Sequence, residues 1–226
     1  LTGSGVTITN VTYTGDPNAI GYFTANNTTL NMNGGFLMTT GVATEAIGPN
    51  SSTGIGIDNT YPGDPDLTNL AQCNTYNADV LEFDCVPSDD TLYFNFIFGS
   101  DEYMEYVSGG FNDVFAIFIS GPSMPFQNIA WLPSTTTPVS VVNCNANMNA
   151  TYYVDRTGDP DIEYDGTTVN ILAIIPVVPG NTYHLKLAIA DALDGIVDGG
   201  AFFEAGSFRT IGPASVHPVV NEEKPL

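Results

Sequence analysis

Apolar positions along this chain recur at every second residue, in short runs rich in Val, Ile, Thr, Tyr and Phe that are separated by clusters of Gly, Pro, Asn and Asp. A period of two sends successive side chains to opposite faces of a strand, so the pattern predicts an all-β chain. Strands are expected over residues 6–12, 36–39, 80–86, 91–98, 113–120, 139–143, 171–177, 182–190 and 201–208. In the run from Thr182, residues Tyr183, Leu185, Leu187 and Ile189 share one face while His184 and Lys186 take the other, which describes a half-buried strand. The run 91–98 instead sets Leu92, Phe94, Phe96 and Phe98 on one side and Tyr93 and Ile97 on the other, as expected of a central strand covered on both faces. Runs of this kind fit an antiparallel two-sheet β-sandwich, jelly-roll or lectin-like, with long acidic loops.

Punctuation between the runs sets the organisation. Residues 48–70 (GPNSSTGIGIDNTYPGDPDLTNL) are too long and polar for an ordinary hairpin connection and carry Asp58, Asp64 and Asp66, so this loop is expected to have a function or to need a ligand to order it. After Phe208 the alternation ends. We therefore expect one domain over residues 1–211 and a linker or tail over 212–226. The longest apolar stretch, 171–178, is broken by Pro176 and is far short of the ~20 residues a membrane helix needs, so no insertion into a bilayer is expected. The opening LTGSGVTITN has neither a basic segment nor an apolar one, so any signal peptide is expected to have been removed already.

Charge changes this picture. Four Lys and Arg stand against 25 Asp and Glu, a formal net charge of -21, while 43% of the 226 residues are hydrophobic, so the acidity belongs to a folded surface and not to a disordered chain. Such a surface repels nucleic acid and anionic lipid. Self-repulsion of this size is relieved most directly by bound divalent cations, the alternative being general solubility in a salty or extracellular setting. Cys73, Cys85 and Cys144 are too few for a disulfide framework. One bridge, Cys73 with Cys85 or with Cys144, is the plain reading, although Cys85 shares a strand face with Leu81 and Phe83 and is equally a buried small hydrophobe.

The carboxylates fall in two Gly-containing loops beside apolar strands. Residues 98–114 (FGSDEYMEYVSGGFNDV) present Asp101, Glu102, Glu105, Asn112 and Asp113, and residues 190–208 (ADALDGIVDGGAFFEAGSF) present Asp191, Asp194 and Asp198. Calcium takes six to eight oxygens from carboxylates, amides and carbonyls, and glycine lets a loop gather them, so calcium is the expected cofactor, with Asp101, Glu102, Asn112, Asp113, Asp191, Asp194 and Asp198 as ligands. The two loops are expected to meet at one end of the sandwich. A third acidic stretch, 158–166 (GDPDIEYDG), imitates an EF-hand opening, but Leu172 stands where the closing Glu belongs, so a solvated turn is expected there.

Catalysis has little to stand on. His184 and His217 are the only histidines, there is no G-x-S-x-G elbow, and Glu82 and Asp84 have no second acid following on their strand face to extend them into a glycosidase pattern, so no enzyme is expected.

A set of segments resembles the choice-of-anchor L domain of bacterial secreted and surface proteins. These are NAIGYF from Asn18, GFLMTTG from Gly35, GPN from Gly48, GDPDL from Gly63, VLEFDCVP from Val80, FGSDEYMEYV from Phe98, FNDVFAIFISGP from Phe111, YHLKLAIAD from Tyr183 and DGGAFFEAGSF from Asp198, in order over nearly the whole chain. The resemblance implies a β-rich, non-catalytic extracellular module, secreted or on the bacterial cell surface, joined to anchors outside this chain. The expected function is a calcium-binding adhesion or ligand-binding module whose partners are carbohydrate or peptide on another cell or matrix. The alternative is a structural subunit of a surface stalk or filament that assembles with neighbouring subunits through its terminal segments, with a glycoside hydrolase third.

Overall fold

The computed structural model describes residues 2–109 and 112–211. In chain order the strands are β1 (Val6–Thr14), β2 (Ile20–Thr24), β3 (Gly34–Thr39), β4 (Thr75–Pro87), β5 (Thr91–Ser100), β6 (Val114–Gly121) and β7 (Met124–Asn128). They continue with β8 (Tyr153–Asp155), β9 (Gly166–Thr168), β10 (Ile171–Pro176), β11 (Tyr183–Ala192), β12 (Gly199–Glu204) and β13 (Arg209–Thr210). Two antiparallel sheets result, one ordered β1-β4-β11-β6-β7 and the other β2-β3-β12-β5-β9-β8, with β10 and β13 also paired to β5. The expected two-sheet sandwich is therefore the architecture observed.

Alternation explains the layering. Phe94, Phe96 and Phe98 of β5 and Phe203 of β12 point inward from one sheet, and Phe115 and Ile117 of β6 with Leu185, Leu187 and Ile189 of β11 meet them from the other. Phe96 and Phe115 touch across the gap with ring centroids 5.3 Å apart. Truncating a ring such as Phe96, which is wholly buried, to alanine removes about 3–5 kcal/mol.

Four expectations need correction. The strand from Thr182 is not half buried: β11 is covered on both faces, because one short helix, α1 (Pro65–Ala71), lies over its Ala188 and Ala190 with Leu67. That helix sits inside the stretch read as a polar loop. Asp64 caps it by accepting from Asp66 N and Leu67 N at 3.0 and 3.1 Å, and Pro65 opens its first turn. The run 139–143 forms no strand; Val139 and Val141 are buried in a turn, tied down by an isolated bridge between Val114 and Ser140. No disulfide forms either, since Cys73, Cys85 and Cys144 are all free: Cys85 packs in the inter-sheet core and Cys73 in the separate cluster under α1. The tail expected over 212–226 lies outside the described residues.

Candidate functional site

At one end of the sandwich four strands, two from each sheet, deliver carboxylates to the same place. β5 ends at Ser100 and runs straight into Asp101 and Glu102, β6 begins just after Asp113, β11 carries Asp191, and β12 begins just after Asp198. The link from β5 to β6 crosses from one sheet to the other, which is why Asp101 and Asp113 belong to different layers yet sit near one another. The two acidic loops do meet, as expected: Asp101 N donates to Asp198 O at 3.1 Å. Two glycines make the approach possible. A Cβ on Gly199 would stand 2.7 Å from Asp113 Oδ2, and one on Gly41 would stand 1.7 Å from Asp198 Oδ2.

Asp101, Glu102, Asp113, Asp191 and Asp198 are all buried, Asp113 completely. Their hydrogen bonds come from neutral donors only. Ser100 Oγ donates to Asp113 Oδ2 at 2.8 Å, Asn77 Nδ2 to Asp191 Oδ2 at 2.9 Å, and Asp165 N to Asp101 Oδ1 at 3.0 Å. Ile57 N reaches Asp198 Oδ1 at 3.2 Å. Glu102 Oε2, Asp113 Oδ1 and Asp191 Oδ1 are enclosed and have no hydrogen-bond partner among the described residues. None of the ion pairs among the described residues involves this end of the molecule.

Burying carboxylates together favours the protonated form. Burial and the neighbouring Asp165 push the Asp101 carboxyl up to about 9. Burial, then Asp194 and Asp191, push Glu102 up to about 7. Asp198 is raised to about 8 by burial and by Asp191, and Asp113 is pushed well up by burial, then by Asp191 and Glu102.

The seven residues expected from the sequence to be ligands separate into groups. Glu102, Asp113, Asp191 and the half-buried Asp194 act on one another electrostatically and include the three orphaned oxygens. Asp198 instead holds the long loop: besides Ile57 N, its own N–H donates to Ile55 O at 3.1 Å, and Asn59 Nδ2 continues the seam by donating to Gly41 O at 2.8 Å. Asn112 turns its Oδ1 to Val142 N at 3.1 Å. Asp101 faces Asp165. As the side chains stand, no three carboxylate, imidazole or thiol groups among the described residues converge closely enough to hold a metal ion.

Several participants were not anticipated. Glu163 and Asp165 are buried, not solvated as expected for the turn 158–166, because residues 162–164 pack Ile162 and Tyr164 against the outer face of the second sheet and carry the intervening acid inward. Asp58, on the long loop, also acts on Asp191, and its place in a ligand-seeking loop was the one signal pointing to it. A separate concavity of about 450 Å³, walled by Phe23, Leu37, Ile162 and Phe202, shares none of the acidic cluster's residues.

Compared with known proteins, the chain matches the model of the choice-of-anchor L domain family over residues 1–209. No curated protein and no solved structure matches it.

Proposed function

This chain belongs to the choice-of-anchor L domain family, whose members occur in secreted and cell-surface proteins, and from that premise we propose that it is a non-catalytic, calcium-dependent binding module of a bacterial surface protein. The observation that carries the reading is the trio of enclosed, partnerless oxygens, Glu102 Oε2, Asp113 Oδ1 and Asp191 Oδ1, contributed by three elements of both sheets. An unpaired buried carboxylate is costly, and a hard cation is the one partner that satisfies several such oxygens at once. Glu102, Asp113 and Asp191 supply the inner ligands and Asp194 closes the site from its loop, with Asp58 in reach. Calcium suits an arrangement that still has to close, because it tolerates irregular geometry and takes carbonyl and water oxygens alongside carboxylates.

In this reading the cation ties the β5–β6 and β11–β12 loops to the long loop 48–70, whose seam runs through Asp198. A ligand carboxylate or sugar hydroxyl then completes the coordination from outside, so the partner is a glycan or an acidic peptide on another cell or matrix. Thermal melting in calcium and in chelator tests the cation: chelation lowers the melting temperature and added calcium restores it, whereas identical curves refute it. Glycan and peptide arrays probed with and without calcium test the partner.

A structural role in a stalk or filament has one observation in its favour. β10 turns Leu172 and Ile174 outward, 43% and 59% exposed, with Val178 just beyond, an apolar stripe suited to a neighbouring subunit. Concentration-dependent assembly lost on replacing Leu172 and Ile174 with serine would favour that role.

A further inference from the structure

We propose that the acidic turn 158–166 and the end of β5 form a second divalent-cation site, with the Asp101 and Asp165 carboxylates as its floor and Glu105 and Asp155 at its mouth. It stands on different oxygens from the first site and does not require it.

Asp165 is 5% exposed and its two oxygens are in unlike situations. Oδ1 accepts from Asn50 Nδ2 at 2.7 Å, while Oδ2 is enclosed and accepts nothing. Asp101, 1% exposed, is similarly divided: Oδ1 accepts from Asp165 N, and no hydrogen bond reaches Oδ2 among the described residues. Two buried carboxylates beside the paired ends of β5 and β9, hydrogen-bonded through one backbone N–H and each with a free oxygen, have the arrangement of a pair of ligands sharing one ion.

The surroundings fit a cation entering from solvent. Glu105 and Asp155 are exposed and near enough for their charge to act on Asp165, so negative potential rises from the surface inward. Glu163 lies beside them, buried, but both of its oxygens accept from Ser51 N at 3.2 Å, which anchors residues 50–51 over the site. The one basic side chain on this stretch is committed elsewhere: Arg156 donates through Nε to Thr167 Oγ1 at 2.9 Å and through a terminal nitrogen to Thr29 O and Asp159 Oδ2, both at 3.0 Å. Among the described residues no cationic side chain pairs with Asp101 or Asp165. Oxygen-only donors select calcium or a related hard ion over zinc, since among the described residues no imidazole or thiol hydrogen-bonds to the pair.

Counting ions on the whole chain separates this site from the first. After stripping with chelator, calcium titration by calorimetry and terbium luminescence are read together, Tyr153 and Tyr164 flanking Asp165 and Asp101 as sensitisers. The wild type is expected to bind two ions. Asp165→Asn is expected to leave one, with that ion's affinity within about twofold, and Asp113→Asn to leave the other. The surface change Glu105→Gln, which disturbs no buried contact, is expected to weaken only the second ion, by about fivefold or more. One ion in the wild type, retained in Asp165→Asn and lost in Asp113→Asn, overturns the second site and leaves the first standing. An unchanged affinity for both ions in Asp165→Asn and Glu105→Gln overturns it as well, and a wild type that binds no ion overturns both.

Discussion

The same chain handles buried acid in two opposite ways. On the outer face of the first sheet, Asp64 is met by Lys186, whose Nζ stands 2.6 Å from Asp64 Oδ2 and 2.6 Å from Asp66 Oδ2, under the ring of Phe118. At the end of the sandwich, five buried carboxylates meet only hydroxyl, amide and backbone donors, and three of their oxygens meet nothing. With four Lys and Arg in 226 residues, basic groups are scarce, and the described ones sit on Asp64, on Asp159 and over the Tyr93 ring. Net charge therefore says little about where acid is costly. What distinguishes the two regions is whether the chain itself supplies the counter-charge.

Breaking the self-sufficient region carries the largest expected effect. Lys186→Met leaves Asp64 buried without its cation, which costs about 3–5 kcal/mol, and calcium does not restore it. Chemical denaturation with and without calcium checks both halves of that statement. Removing the counter-charge from the other region is next in size. At a free calcium concentration of a hundred times the dissociation constant, one site contributes about 2.7 kcal/mol, roughly 5–10 °C in melting temperature for a domain of this length, and chelator abolishes it.

Asp113→Asn sharpens the contrast because its sign depends on conditions. In chelator at neutral pH the variant melts about 2–4 °C above wild type, since Asn needs no proton held on a carboxyl that would ionise in the unfolded chain. In calcium it melts below wild type, because a ligand is gone. Lys186→Met is destabilised under both conditions. A variant with the same sign in both would mean that the end of the sandwich, like the outer face, is balanced by the chain alone.

The contrast was only half visible in the sequence. Strand alternation carried the sandwich, and Gly-rich loops beside apolar runs carried the meeting of Asp101 with Asp198, because both depend on local pattern. The pairing of Asp64 with Lys186 was hidden, since it joins residues 122 apart through a seven-residue helix with one buried side chain, Leu67, too short to show a period. Its cap was written in Asp64-Pro65 all the same, a signal drowned by the polar residues around it. The burial of Glu163 and Asp165 had no signal: an acidic turn reads the same whether solvent or the outer face of a sheet lies behind it, and only Ile162 and Tyr164 docking on that face decide.

The smallest effects come from pH and from an exposed pair, and they run through the same comparison. A carboxyl whose folded value is raised stabilises the fold below its unfolded value and loses that contribution as pH rises through the folded one. For Glu102, Asp198 and Asp101, raised to about 7, 8 and 9, the metal-free protein is therefore most stable near pH 4 to 5 and loses stability progressively toward pH 9. Melting temperatures in chelator are expected to fall by several degrees across that range, and calcium, which replaces the protons, flattens the upper half. His184 behaves differently: burial lowers it, but the hydrogen bonds to Asp84 at 2.9 Å and Glu82 at 3.3 Å outweigh burial and raise it on a face that remains 43% open. His184→Gln should shift melting by no more than about 2 °C, because screened surface pairs contribute little, and should leave calcium affinity untouched. A loss of calcium affinity in that variant would mean that the exposed pair is coupled to the acidic end through β11, which carries both His184 and Asp191.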